Sequence, residues 1–305
     1  MSSTPPARIF FIVARKRNKA VVLRRGPAQW TQMICWDLEN DALEYGQWLK
    51  KKVRPERCDL SPEGRCFIYL IDNFERGASR TVLCKPPYWT ALTAWEHSDP
   101  LFGSGGGLWV EEHSVALNWH QPLNAHEAWP APPELKTSYF RPPGEYSLWK
   151  GQINPLLDYR MERDGWKRIS DTAFVEQETT LSTRRMVSEF WQAHDPESST
   201  PIEPQLWEKS ITRQASLCLL SFYHSEHRKT FRKFYLVKGD ARTELEDVEW
   251  ADTDHRGRIL AAMNGRLYAS KRFGDGSVQL ENLILLHDLN PQKPKHIKAP
   301  DNYCY

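Results

Sequence analysis

Short apolar runs separated by turn-forming residues recur along almost the whole chain, and that rhythm constrains the fold more than any other feature. Residues 8–14 (RIFFIVA) are followed by the polar tetrad Arg15-Lys16-Arg17-Asn18 and by a second apolar run at 20–23. Two apolar runs joined by a few polar residues are the pattern of a β-hairpin. Residues 30–36, 66–71, 81–83, 89–95, 217–223, 231–237, 259–263, 266–270 and 278–287 read the same way. Between 259–263 and 266–270 lies Asn264-Gly265, a pair that accepts the positive φ values of a tight hairpin turn. Arg163-Asp164-Gly165 and Gly274-Asp275-Gly276 mark further turns.

Such a chain needs a core made of many short strands, and its composition can supply one. The 305 residues include 13 Trp, 11 Tyr and 12 Phe, which favour strands and fill volume, with 21 Pro and 16 Gly spread among the turns. Helix signals are sparse; the best is residues 182–193, where Met186, Phe190 and Ala193 recur at three- and four-residue spacing. Residues 120–145 are rich in Pro and aromatics and read as a long irregular loop, and 195–204 as a plainer one.

Two stretches repeat in kind. Residues 58–65 (CDLSPEGR) run into the apolar strand that begins at Cys66, and residues 250–258 (WADTDHRGR) run into the one that begins at Ile259. Each is an acidic strand end, a turn closed by Gly-Arg, and an apolar strand. Trp36-Asp37, Trp95-Glu96 and His287-Asp288, with Trp191 near Asp195, add aromatic–acid strand ends at positions compatible with a unit of about 48 residues, within the range of propeller blades.

Asp59-Leu60-Ser61-Pro62-Glu63-Gly64-Arg65 and its following strand resemble the Ser-Pro-Asp-Gly turn of the WD40-like and TolB-type β-propellers, with Glu63 in place of the usual Asp. Trp36-Asp37 resembles the Trp-Asp that ends a WD40 blade strand. Good matches cover about a third of the chain, and residues 110–210 depart from the pattern. Residues 24–37 and 58–62 also resemble uncharacterised bacterial proteins, which implies no function. The resemblance implies an all-β chain: a single β-propeller domain over residues 1–305, of about six four-stranded blades, or seven. Stacked blades cover each other's faces, and the strand at 9–14 is expected to close the ring by pairing in the last blade. The competing fold is a β-sandwich followed by a small second β domain.

No catalytic motif stands out. Gly103-Ser104-Gly105-Gly106-Gly107 lacks the Lys-Ser/Thr of a phosphate loop and leads into a strand, so a flexible loop is expected there. His113, His120 and His126 lack metal-ligand spacing, and His224 and His227 flank a polar turn. Neither a cofactor nor a metal is expected. Asp252 and Asp254 lie two apart, able to share a strand face near a propeller mouth, although turn stabilisation explains them as well. Arg57, Asp59, Glu111, Glu112, His113, Asp252 and Asp254 are the expected binding-face residues.

Net charge is +2, but the first sixty residues hold twelve Lys or Arg against six acids. Arg15, Lys16, Arg17, Lys19, Arg24 and Arg25 form the expected basic patch, which could meet nucleic acid or simply solvate hairpin loops. The start has no basic segment leading into an apolar stretch, the apolar runs are too short to span a bilayer, and six Cys show no C-x-x-C pair. A cytoplasmic location without membrane association is expected. The leading functional expectation is a non-catalytic scaffold that binds an unidentified protein through its face loops. The alternatives are a propeller-fold hydrolase or lyase using axial acids, and nucleic-acid binding through the basic region.

Overall fold

The hairpin signal at the start of the chain becomes β1 (Arg8–Val13) and β2 (Lys19–Arg25), antiparallel from Arg8↔Arg25 to Val13↔Ala20. A computed structural model describes residues 5–51, 53–71, 79–97, 105–119, 123–140, 155–178, 204–224, 229–272 and 278–305. It divides into two compact units, Met1–Arg141 with Asp252–Tyr305, and Pro142–Ala251.

In the first unit, β1 and β2 continue into β3 (Trp30–Asp37) and β4 (Leu43–Lys50), forming a meander in which each strand pairs with the next. A second meander contains β5 (Asp59–Leu60), β6 (Phe67–Ile71), β7 (Ser79–Cys84) and β8 (Thr93–His97). The third sheet has β9 (Gly107–Glu111), β10 (Ser114–Leu117) and β11 (Lys136–Tyr139), with β11 parallel to β10. The second unit holds α1 (Pro155–Arg163), β12 (Lys167–Ile169), α2 (Thr172–Glu178), β13 (Gln205–Ser210), β14 (Ala215–His224), β15 (Lys229–Lys238) and β16 (Ala241–Glu244); its five strands make one sheet. A last meander comprises β17 (Val248–Thr253), β18 (Ile259–Met263), β19 (Arg266–Arg272) and β20 (Val278–Asp288).

The strands are apolar in runs because both of their faces are covered. Ile9 to Ile12, Ala20 to Arg24 and Phe67 to Leu70 are buried without interruption, the signature of a strand packed on each side. Within the first unit, β1 lies beside β5 and β18, and β9 beside β5 and β6, so the opening strands of the first three sheets adjoin. Trp95 of the second sheet and Trp109 of the third meet in one cluster with Ile68, Leu83, Val115 and Leu117. Burying one such aromatic contributes about 4–6 kcal/mol of gross hydrophobic stabilisation. In the second unit, Leu206, Cys218, Leu220 and Phe222 pack under Ile169, Phe174 and Val175.

All-β architecture and the hairpins follow the sequence expectation, while several details differ. Five sheets are built from the described residues. Strand β1 pairs with β2 in the first sheet and does not complete the last one, whose strands all come from the C-terminal region. The positions spaced by multiples of 48 are not equivalent: Trp36 is on a third strand, whereas Trp95 and His287 are on fourth strands. The candidate helix at 182–193 lies outside the described residues, as do His120, His227 and Gly103-Ser104. The rest of the glycine run is a close approach rather than a free loop. A Cβ on Gly106 would run into the Arg57 carbonyl, one on Gly107 would come within 2.8 Å of Ile68, and the Gly106 amide donates to Thr81 Oγ1 at 2.8 Å.

Candidate functional site

The turns that follow the first strands of the sheets converge on one face of the first unit, and most of the expected charged residues are there. The turn after β1 meets the turn after β5 where the Lys16 amide donates to the Pro62 carbonyl at 2.8 Å. Arg15 reaches further, donating to the carbonyls of Trp109 and Val110 at 3.0 and 2.9 Å. The turn after β17 joins from the other side, with His255 Nε2 2.8 Å from the Ala14 carbonyl and its amide 3.4 Å from Asn18 Oδ1.

The two motifs noted in the sequence form equivalent turns. In one, Ser61 Oγ accepts from the amides of Arg65 and Cys66, and the Gly64 amide donates back to the Ser61 carbonyl. In the other, Asp254 Oδ1 accepts from the amides of Arg256 and Arg258, and the Gly257 amide donates to the Asp254 carbonyl. Gly64 and Gly257 have φ of 72° and 74°, a conformation that an L side chain resists. A short acceptor side chain at the head of the turn and a glycine three residues later explain why the two stretches look alike.

Beneath this face is a layer of locked polar groups. Asp59 is fully buried; one oxygen accepts from its neighbour Leu60 and the other from the Trp109 amide at 2.7 Å, tying the second sheet to the third. Glu112 accepts from Ser61 Oγ at 3.2 Å and the Glu63 amide at 2.8 Å. Asp252 accepts from the Thr253 amide at 2.7 Å. Asp254, with a fully buried side chain, also receives Arg258 Nε at 2.7 Å. Arg258 forks onto Asp41 at 2.8 and 3.0 Å and donates to the Leu38 carbonyl at 2.9 Å, so it clamps the β3–β4 turn. Burial alone pulls its pKa down, but the hydrogen bonds to Asp41 and Asp254 outweigh that and hold the guanidinium above its usual range.

Above this layer, exposed charges alternate in sign. Lys16 pairs with Glu111 at 3.4 Å and Arg17 with Glu63 at 2.7 Å, while Arg65 stands 3.8 Å from Glu112. The Lys16, Arg17, Arg65 and Glu111 side chains are 56%, 63%, 64% and 67% exposed, so they are the solvent-facing part of this face. Hydrogen bonding from Arg17 holds the Glu63 carboxyl below its usual value. Beside them, between the first two sheets, lies a cleft of about 540 Å³ lined by Lys19, Cys35, Glu44, Arg65 and Lys85. Burial and the Glu44 charge push the Cys35 thiol up to about 12, so it stays protonated.

The remaining expected residues are elsewhere. Arg24 and Arg25 are at the far end of β2 from Lys19, about 20 Å away along the strand. Arg24 is buried, donates to the Leu289 and Asn290 carbonyls at 3.0 and 3.2 Å and lies over Trp48, and burial lowers its pKa. Arg57 closes a 3-10 turn, and His113 stacks edge-on with Tyr305. Sequence reading missed Arg258 and Asp41. Gly257-Arg258 is visible in the repeat, but nothing in it separates this buried clamp from the exposed Arg65. Among the described residues no three His, Cys, Asp or Glu side chains are grouped to hold a metal ion, and no helix is long and apolar enough to cross a membrane.

No protein-family model matches the chain, and no curated protein matches it. Solved structures with distant similarity include the following two. One is the β-propeller domain of the Trilobed protease from Pyrococcus furiosus, at 11% identity and a TM-score of 0.28, over 89% of this chain and 84% of that one. The other is an uncharacterized protein from Listeria monocytogenes EGD-e, at 10% identity and a TM-score of 0.33, over 100% of this chain and 90% of that one.

Proposed function

We propose that the chain is a non-catalytic interaction scaffold whose meander sheets are the blades of a β-propeller, and that the turn face of the first unit receives a protein partner. The observation that carries this reading is the two-layer build of that face. Buried Asp59, Asp254 and Arg258 fix the turns, and the exposed Lys16, Arg17, Arg65 and Glu111 stand on them in alternating sign. A mixed-sign surface suits a protein partner with complementary charges better than a polyanion, since the cations already have carboxylates beside them. Its expected contribution is specificity and fast association, which rim charges supply more than raw affinity. Six free thiols, four of them buried, fit a reducing compartment.

The test is affinity purification of the tagged chain from its native cell with nuclease treatment, beside a Lys16→Glu/Arg17→Glu/Arg65→Glu variant. A stoichiometric protein partner lost by the variant, at unchanged melting temperature, supports the reading. Capture of nucleic acid with steeply salt-dependent affinity, or turnover of a small substrate with no protein partner, refutes it.

A further inference from the structure

Leu289, just beyond β20, is buried, whereas no residue from 290 to 305 is, and none of these belongs to a helix or strand. The segment nevertheless follows the surface of the first unit, fastened at a few points. On the first sheet, Gln47 of β4 donates its side-chain amide to the Ile297 carbonyl at 2.8 Å. On the second, the Tyr303 hydroxyl accepts from the Lys85 amide at 2.6 Å and donates to the Thr90 carbonyl at 2.8 Å, with its ring edge-on to Tyr88. On the third, Tyr305 packs against the cluster that holds Trp95 and Trp109, and its hydroxyl lies 3.3 Å from His113 Nδ1.

Gln47 and Tyr303 divide the loop between β7 and β8. Gln47 takes residues 87–90: its amide donates to the Pro87 carbonyl at 3.0 Å, and its Oε1 accepts from the amides of Trp89 and Thr90 at 2.7 and 3.1 Å. Tyr303 takes Lys85. Lys85 and Pro86 also line the cleft between the first two sheets, so one wall of that cleft is held by a residue more than two hundred positions away.

These anchors are few for the length they hold. Ordering the backbone costs entropy at every residue from 297 to 305, and no buried side chain in that stretch offsets it. A stretch with little buried apolar surface opens locally, at a small fraction of the cost of opening sheets such as the second, where Phe67 to Leu70 are buried without interruption. We propose that residues 297–305 are a releasable strap, docking and undocking while the sheets stay folded, and that docking holds the Lys85–Pro86 wall of the cleft in place. On release, residues 87–90 keep their ties to Gln47, the Lys85 amide turns to water, and the wall of the cleft is free to shift.

Amide exchange resolved by NMR on the full chain tests this, beside a Tyr303→Phe variant and a chain ending at His296. In the wild type, exchange at Lys85 should be nearly indifferent to urea below the unfolding transition, as local opening is, whereas Phe67 to Leu70 should exchange by a urea-dependent route. Tyr303→Phe, which keeps the ring and removes only the hydroxyl, should speed exchange at Lys85 by about fivefold or more, and the shortened chain by about tenfold or more. The Gln47 amide, held by Pro87, should be unchanged in both. Lys85 exchange that shares the urea dependence of Phe67 to Leu70 overturns the proposal, because the strap would then open only with the sheets. So does a Lys85 rate that neither variant alters, or a shortened chain that no longer folds.

Discussion

Arg258→Ala tests whether the buried clamp, rather than sheet packing alone, fixes the turn face. The change removes four donor contacts: one to Asp254, two to Asp41 and one to the Leu38 carbonyl. Removing one partner of a buried ion pair costs about 3–5 kcal/mol, because the other charge is left uncompensated. Two features of this site reduce that figure. Asp41 is 25% exposed and can rehydrate, and Asp254 keeps the amides of residues 256 and 258 as donors. A loss of about 2–4 kcal/mol is therefore expected. Arg258→Lys keeps the charge but cannot fork onto Asp41 while bonding Asp254, so about 1–2 kcal/mol is expected for it. Adding Asp254→Asn to Arg258→Ala removes the stranded charge, so the double variant should be more stable than the sum of the singles by about 1 kcal/mol or more. Urea unfolding gives the totals. Hydrogen exchange at residues 38–42 and 254–258 locates the effect, which matters in a chain of two units. A loss within about 0.5 kcal/mol for Arg258→Ala, with additive doubles, would refute the clamp.

Gly106→Ala should cost more than about 2 kcal/mol, because its Cβ meets the rigid Arg57 carbonyl, whereas Gly239→Ala, at φ 55° with nothing within 4 Å, should cost only about 1 kcal/mol; chemical denaturation compares them. Burial pushes Asp158 up to about 6, against the downward pull of the Gln205 amide. Its folded carboxyl therefore holds a proton more tightly than the unfolded one, so its stabilising contribution is full below about pH 4 and is lost as pH rises toward about 6. Asp158→Asn should accordingly stabilise the second unit by about 1–3 kcal/mol at pH 7.5 and by almost nothing at pH 4, read as melting temperature across pH. Burial pushes the Cys66 and Cys218 thiols, like that of Cys35, up to about 12, and raises Cys84 well above its usual value. Exposed Cys304 should then be the one rapidly modified thiol in native protein at pH 8, counted with a chromogenic disulfide; two or more fast equivalents would contradict that burial.

Strands were legible because their signal is local. Arg8 to Val13 and Ile259 to Met263 are too apolar and too short for anything but buried strands, and Asn264-Gly265 adopts the two positive φ values its hairpin needs. Helix α1 was not legible, although its signals were present. Pro155 opens it, Asp158 and Arg163 sit at its appropriate ends, and Gly165 follows it at φ 93°. Arg163-Asp164-Gly165 reads equally well as a hairpin turn. The Trp166 amide, donating back to Met161 at 2.9 Å, is what makes it a helix end, and that bond is invisible in composition.

The same limit applies more sharply to the charged residues. Twelve cations against six acids in sixty residues look like a patch only while the chain is treated as a line. Folding brings Glu111, 95 residues further on, against Lys16, and buries Arg24 under carbonyls from residues 289 and 290. Local excess charge thus says which segments are solvated or paired, and the sheet register decides between the two. In this chain the register assigns the acidic repeat ends to holding the turns, and leaves exposed the charged tips that those turns carry.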